Sequence, residues 1–365
     1  MNVQEKAYQL SQAGMTQAQV ANDLGITPRQ ARRYIEQQRA LADADPAAIN
    51  AMQAAQSNAL PHSFWVKTDS HSIYYKTPRS EERDSWLDAV ADAFRDIPAY
   101  VPPSDDVNYK REDLLAFYAM ADIHLGLRAW SEETSGQDYD TDIAARRVSD
   151  WVSRLVSCAP DTEHAIIVAI GDSIHHNDDT NQTPQSRHNL DVDTRQFRTL
   201  DTAINMFCAT VECALHKHDK VTFCIQPGNH DRDNYRAIMF AMRERYRLSD
   251  RVNVIATPME FFVHEFGKVM IACHHGDKAK ANRLVLDAAD RWPEMWGRTR
   301  HRFYFTGHLH SHKSEDIGGM QWEQLRAVTS KDSYAASHAY SCRPQMQMIL
   351  FDRNDGEVAR FKRGL

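Results

Sequence analysis

The stretch Val221-Thr222-Phe223-Cys224-Ile225-Gln226-Pro227-Gly228-Asn229-His230-Asp231 decides the fold class. An apolar run of strand length and composition ends in Gln-Pro, then releases Asn, His and Asp, side chains that hold metals or move protons. The same grammar recurs along the chain. Leu114–Met120 leads into Ala121-Asp122-Ile123-His124, and Ala165–Ile170 leads into Gly171-Asp172. Val269–Cys273 leads into His274-His275-Gly276, and Phe303–Thr306 into Gly307-His308-Leu309-His310. Helical stretches separate several of these runs, so the pattern is largely β-α-β. Layered α/β sheets bind ligands beyond the carboxyl ends of their strands, which is where every one of these polar sets falls.

The residue types suit a two-metal site that cleaves phosphate esters. Asp and His hold one cation, Asn and His a second, and a shared carboxylate bridges the two at about 3.5–4 Å. Such a pair lowers the pKa of a water between them and neutralises charge on phosphoryl oxygens. A His beside an Asp, next to a ligand, is placed to protonate a leaving oxygen. A lone Gly-Asp is a common turn and carries little weight. Gly-Asn-His-Asp and Gly-His-Leu-His are each expected by chance at roughly 0.002 per chain of this length.

Residues 112–351 resemble the calcineurin-like metallophosphoesterase superfamily, through these five motifs in this order. Ala121-Asp122-Ile123-His124-Leu125-Gly126 and Gly171-Asp172-Ser173-Ile174-His175 are similar to the SbcD-type branch of DNA double-strand-break repair nucleases. The resemblance implies a two-sheet α/β sandwich with the site at one edge. It implies that Asp122, His124 and His310 hold the first metal, that Asp172 bridges, and that Asn229, His275 and His308 hold the second. It places His230 over the leaving group, oriented by Asp231, with His175 as an additional catalytic histidine. Mn²⁺ is the first choice of metal, with Fe²⁺, Zn²⁺ or Mg²⁺ as alternatives. His274 reads as strand-end packing, the alternative being a residue that supports the metal ligands from behind, and His176 and His312 read as solvent-facing loop residues. The last strands are expected from Gln321–Val328, Met346–Phe351 and Val358–Lys362.

At 365 residues the chain has room for more than one domain. No apolar stretch approaches the ~20 residues that span a bilayer, and no secretory signal is apparent. The 6 cysteines form no Cys-x-x-Cys pair, and the reading is a reducing cytoplasm. The net charge of −7 argues against tight, non-specific coating of DNA. Residues 1–41 run the other way, with Lys6, Arg29, Arg32, Arg33 and Arg39 against Glu5, Asp23 and Glu36.

That amino-terminal stretch resembles a small helix-turn-helix domain over about residues 2–40. Val3–Ala13 reads as a helix ending at Gly14, Thr16 caps Gln17–Leu24, and Gly25 supplies a turn. Thr27 caps a third helix with Pro28 at its first position. In the recognition position, Gln30 and Arg33 are assigned to base edges and Arg29 and Arg32 to phosphates. The competing reading is a purely structural helical cap. Residues 42–61 form a linker or spacer helix. Residues 62–110 form a small α+β segment of unassigned role, with strands within His62–Lys76 and a helix from Glu81 to Phe94. Residues 111–365 form the catalytic domain.

Two insertions are expected to shape the site's rim. Ser173–Asp193 is long and polar, with Arg187 and His188. The second carries Lys278, Lys280, Arg283, Arg291, Arg298, Arg300 and Arg302 with Trp292 and Trp296. Basic groups among aromatics suit a nucleic-acid strand; a solvated helix with its charges offset by Asp287 and Asp290, and tryptophans in the core, fits equally. The functional expectation is a metal-dependent phosphodiesterase acting on DNA, a nuclease in an arrangement resembling those of bacteriophage genomes. The alternatives are a phosphatase or nucleotide phosphodiesterase, and a non-enzymatic DNA-binding regulator with a structural metal centre. The expected partner is DNA, with no membrane, and with a homodimer or a separate ATPase chain as further possibilities.

Overall fold

A computed structural model describes residues 2–42, 63–67, 72–76, 111–341 and 343–365. The chain divides into two compact units, Met1–Ala89 and Val90–Leu365. The first begins with helices α1 (Val3–Gln12), α2 (Gln17–Leu24) and α3 (Pro28–Ala42). Each starts at a capping box, in which Asn2, Thr16 or Thr27 exchanges hydrogen bonds with Glu5, Gln19 or Gln30 three residues on. Gly25 ends α2 in the left-handed region. Ala7, Val20, Ala21, Ala31 and Ile35 form the small core between the three helices. Strands β1 (Ser63–Lys67) and β2 (Ser72–Lys76) pair as an antiparallel hairpin. The linker, the expected helix from Glu81 and most of the 62–110 segment lie outside the described residues.

The second unit is built on two sheets. The larger contains β3 (Leu114–Met120), β4 (His164–Ile170), β5 (Lys220–Gln226), β6 (Val252–Val254), β12 (Gln345–Asp352) and β13 (Gly356–Gly364), in the order β13-β12-β3-β4-β5-β6. The strands from β3 to β6 are parallel, and β12 and β13 extend the sheet antiparallel. The smaller contains β7 (Phe262–Phe266), β8 (Val269–Cys273), β9 (His301–Thr306), β10 (Lys313–Ile317) and β11 (Met320–Gln324), in the order β10-β11-β9-β8-β7.

Strand β3 shows why the sheets stack. Its side chains alternate between faces, and both faces are buried. Leu115, Phe117 and Ala119 join Ile166, Val168, Ile271, Phe303, Phe305 and Phe351 in the layer between the sheets. Leu114, Ala116, Tyr118 and Met120 face the other way, toward α5 (Thr141–Cys158), α6 (Gln196–Leu215) and α7 (Asn234–Arg245); the short α4 (Ser131–Thr134) precedes them. The outer face of the smaller sheet is covered by α8 (Ala281–Arg291) and α9 (Pro293–Arg298). The result is the expected two-sheet α/β sandwich. One strand is shorter than its apolar run: β11 stops at Gln324, because the chain then crosses to the larger sheet. Val328 and Thr329 donate their amides to the carbonyls of Ala121 and Asp122.

The covering of the smaller sheet resolves the second insertion. Trp292 and Trp296 pack against the buried cluster of Leu284, Val285 and Tyr304. Arg291 pairs with Asp287, Arg298 with Glu265 and Lys278 with Glu260. Arg302 donates to the carbonyl of Trp296 at 2.7 Å. Four of the seven basic groups are thus engaged with neighbours, and the two tryptophans are half-buried against the core.

Candidate metal centre

The first, second and fifth motifs leave their strands through sharp bends. Asp122, His124, Asp172, His308 and His310 all adopt positive φ, between 48° and 71°. This left-handed region is strained for residues with a Cβ, though Asp and His enter it more readily than most. The bends turn these side chains inward, into one cluster at the carboxyl ends of the strands. Backbone amides hold the carboxylates in place. His308 N donates to both oxygens of Asp122 at 3.0 Å, and His230 N donates to Asp172 Oδ1 at 2.8 Å. The space is tight: a Cβ at Gly228 would overlap the Asp172 carboxylate.

Two ligand groups emerge. Asp122, His124 and His310 place one donor atom each within 4.8 Å of one another, and so do Asp172, His275 and His308. Asn229 Oδ1 joins the second group, 3.2 Å from His275 Nε2. Asp172 Oδ2 lies between them, 3.1 Å from His275 Nε2 and 3.8 Å from His124 Nε2. A third set, His124, His175 and His230, meets the same distance limit. Every residue nominated from the catalytic motifs is therefore in one cluster of the second unit; Arg29, Gln30, Arg32 and Arg33 belong to the first unit.

The donor atoms fit divalent cations. His275 Nδ1 donates to the carbonyl of Ile170 at 2.9 Å, which turns Nε2 toward the carboxylate, as in histidines held ready for a metal. His124 Nε2 and His310 Nε2 converge at 3.2 Å, a contact that needs a proton or a cation between two lone pairs. Burial opposes charge on His275, yet Asp172 and then Asp122 lift its pKa to about 10. Burial also opposes charge on Asp172, but His275, His230 and His124 hold it well below the usual carboxylate range. A cation would take over the charge balance that a proton supplies here. Burial, then the charge of His230, holds His124 and His175 well below the ordinary histidine value, the state in which imidazole is a ligand.

Two expectations change. Asp231 was assigned to orient His230, but its carboxylate accepts amides from Gly228 at 2.8 Å, Ser173 at 2.7 Å and Ile174 at 3.2 Å. It clamps the second motif to the third, and burial and the Asp172 charge push its pKa up to about 6. His230 is oriented instead by the carbonyl of His175, which accepts from Nδ1 at 2.7 Å. A web holds that carbonyl still: Asn234 donates to the His176 carbonyl, Asn177 pairs with Asp233, and Gln196 donates to the Asn177 carbonyl and to Asn234. The second change is His176, which is buried at 1% exposure rather than solvent-facing, because this web draws its loop onto α7. His274 packs against Phe261 as expected. His312 is exposed and lies 3.3 Å from Glu323.

In the first unit, Gln30 is diverted from base reading: its side-chain oxygen accepts from Thr27 at the start of α3. The Thr-x-x-Gln spacing carries that signal in the sequence. Arg32 pairs with Glu36 one turn on. Arg29 and Arg33 are exposed. The sequence reading also missed Tyr334, His338 and Tyr340, whose close spacing in Ser333-Tyr334-Ala335-Ala336-Ser337-His338-Ala339-Tyr340 was its only mark.

No protein-family model matches the chain, and no curated protein matches it in sequence. Solved structures do match. A predicted phosphoesterase from Streptococcus pneumoniae is 13% identical over 69% of this chain and 98% of its own, with a TM-score of 0.26. An archaeal phosphodiesterase is 10% identical over 68% of this chain and 99% of its own, at 0.34. Vps29 from Entamoeba histolytica, complexed with Zn²⁺, is 12% identical over 68% and 98%, at 0.27. At such identities and scores, the activity of this chain has to be derived from its own side chains.

Proposed function

We propose that the chain is a metal-dependent phosphodiesterase and that its substrate is DNA. The observation that carries this is the pair of ligand groups sharing Asp172, with His230 beside them. Asp122, His124 and His310 would hold one divalent cation, and Asn229, His275 and His308 the other. When bound, the cations supply Lewis acidity and an activated water. Mn²⁺ suits the mixed carboxylate, amide and imidazole set.

The residues around the cations have their own work. A carbonyl only accepts, so the bond from His230 to His175 places one hydrogen on Nδ1 and aims Nε2 at the cluster; as general acid the ring would carry a second hydrogen on Nε2 and pass that one to the leaving oxygen, keeping the Nδ1 hydrogen. Asp231 keeps the second and third motifs in register. Asn229, His230, His308 and His310 are partly exposed, whereas the carboxylates of Asp122 and Asp172 lie buried behind them. That accessible face favours a polymer over a small enclosed substrate. The amino-terminal helices, with Arg29 and Arg33 exposed on α3, are proposed to hold duplex DNA. The His175-bearing motif, similar to that of repair nucleases, adds support.

The test is cleavage of end-labelled single- and double-stranded DNA with Mn²⁺, beside hydrolysis of bis-p-nitrophenyl phosphate, with Asp172→Ala as control. DNA cleavage lost in the variant is the expected result. Hydrolysis of the small diester with DNA intact would replace the nuclease reading with a nucleotide phosphodiesterase or phosphatase.

A further inference from the structure

The chain between β11 and β12 runs beside the first ligand group, anchored by the amides of Val328 and Thr329 on Ala121 and Asp122. It then forms the short helix α10 (Ser333–Ser337), capped by Asp332. Three rings leave this segment in series. Tyr334 and His338 lie 4.2 Å apart between centroids, and His338 and Tyr340 lie 5.8 Å apart at an interplanar angle of 21°. Tyr334 is 58% exposed and Tyr340 61%. A fourth ring, Trp130, is 60% exposed just after the first motif, with the Arg128 guanidinium 5.8 Å from its centroid. Asp191 joins the two groups: its carbonyl accepts from Arg128 N at 2.9 Å, and its carboxylate from Ser333 Oγ at 2.7 Å. Helix α10 also packs against α4, which begins at the residue after Trp130.

Core packing does not account for this series, because the rings contact one another while Tyr334, His338 and Tyr340 all stay exposed. Large aromatics grouped at the rim of a site mark a binding surface. We propose that Tyr334, His338, Tyr340 and Trp130 form a stacking platform for the unpaired bases of a single-stranded polynucleotide whose backbone enters the metal centre. The inference rests on the phosphodiesterase reading above and names the substrate class of that site. Base–aromatic stacking tolerates any sequence, because every base has a π face. Arg128 adds a cation where the backbone must pass.

The test is fluorescence anisotropy of the full chain in EDTA with a labelled oligothymidylate, and with an abasic oligonucleotide of equal length. Tyr334→Ala with Tyr340→Ala is expected to weaken oligothymidylate binding by about 10-fold or more. Abasic binding, thermal stability and kcat on bis-p-nitrophenyl phosphate should stay at wild-type values. The paired Tyr→Phe variant should restore binding, since stacking needs the ring and not the hydroxyl. Equal affinity of the wild type for both oligonucleotides, or no loss in the alanine variant, would overturn the platform. A wild type that binds bases through these rings but cleaves no diester would instead remove the phosphodiesterase reading and leave the platform standing.

Discussion

Near the amino ends of β4 and β5, His218 places both ring nitrogens on hydroxyls, Nδ1 on Thr162 at 2.7 Å and Nε2 on Tyr118 at 2.8 Å. His164 likewise meets Thr222 at 2.9 Å. At the carboxyl ends of the same strands, the histidines face one another and carboxylates, and His175 Nε2 is buried without a partner among the described residues. Both regions bury imidazole, and in both burial is the largest influence against its charge. The difference lies in the partners. The first set is closed by neutral hydroxyls; the second converges on two carboxylates, the arrangement proposed above to hold cations. Open hydrogen-bonding capacity alone does not separate the two, since both ring nitrogens of His176 are also buried without a partner among the described residues; convergence on carboxylates does.

Four experiments break or sharpen that contrast. The largest effect is expected for Asp172→Ala, which removes the carboxylate common to both ligand groups. Bound metal should fall, measured by elemental analysis, and kcat/KM should drop by roughly 10³-fold or more. Full metal content in the variant would refute the bridging role. Next, His230→Ala should lower kcat by about 10²–10⁴-fold while metal stoichiometry holds. Loss of a metal would make His230 a ligand and join it to the third donor set.

The structural histidines should respond to pH in the other sense. Burial, then Lys217, holds His218 at about 4, and burial, then His164, holds His264 at about 4. Their folded pKa values lie below the ordinary 6.5, so the unfolded chain takes up protons first as pH falls. Their stability contribution is present above pH 6.5 and is lost toward pH 4, up to about 3 kcal/mol for each. Urea unfolding between pH 7 and pH 4 should therefore be shallower in its pH dependence for His218→Gln than for wild type. An unchanged slope would show that His218 does not titrate as a buried neutral group. The smallest effect is reserved for Asn234→Ala, which loosens the carbonyls of the 175–177 loop without touching a ligand. We expect kcat to fall about 10-fold, KM and metal content to hold, and the pH profile of kcat to shift as His230 loses its fixed tautomer. An unaltered profile would reduce Asn234 to a packing role.

Much of this was legible in the chain. Alternating apolar runs with both faces buried gave β3, β4 and β8 nearly to the residue, because strand period and burial leave a direct imprint. The ligand-bearing residues were nominated as a set because their types and order are rare together. What escaped depended on direction rather than type. Asp231 sits beside His230 in sequence, but its carboxylate points to the amides of Ser173 and Ile174, which only the folded loops bring near. His176 looked like loop surface until α7 covered it. The basic second insertion looked the same whether its arginines met phosphates or Asp287 and Glu265.

Ligand residues held at positive φ also bear on how this chain can drift. Five positions each store on the order of 1–3 kcal/mol of backbone strain, and all five lie in the proposed metal centre. Glycine at His124, His308 or His310 would relax the bend, whereas at Asp122 or Asp172 it would also take the acceptor from the amide of His308 or His230. On the proposed reading, a lineage released from selection for activity would therefore shed the histidines first and gain stability as it did so, leaving a fold more robust than its ancestor.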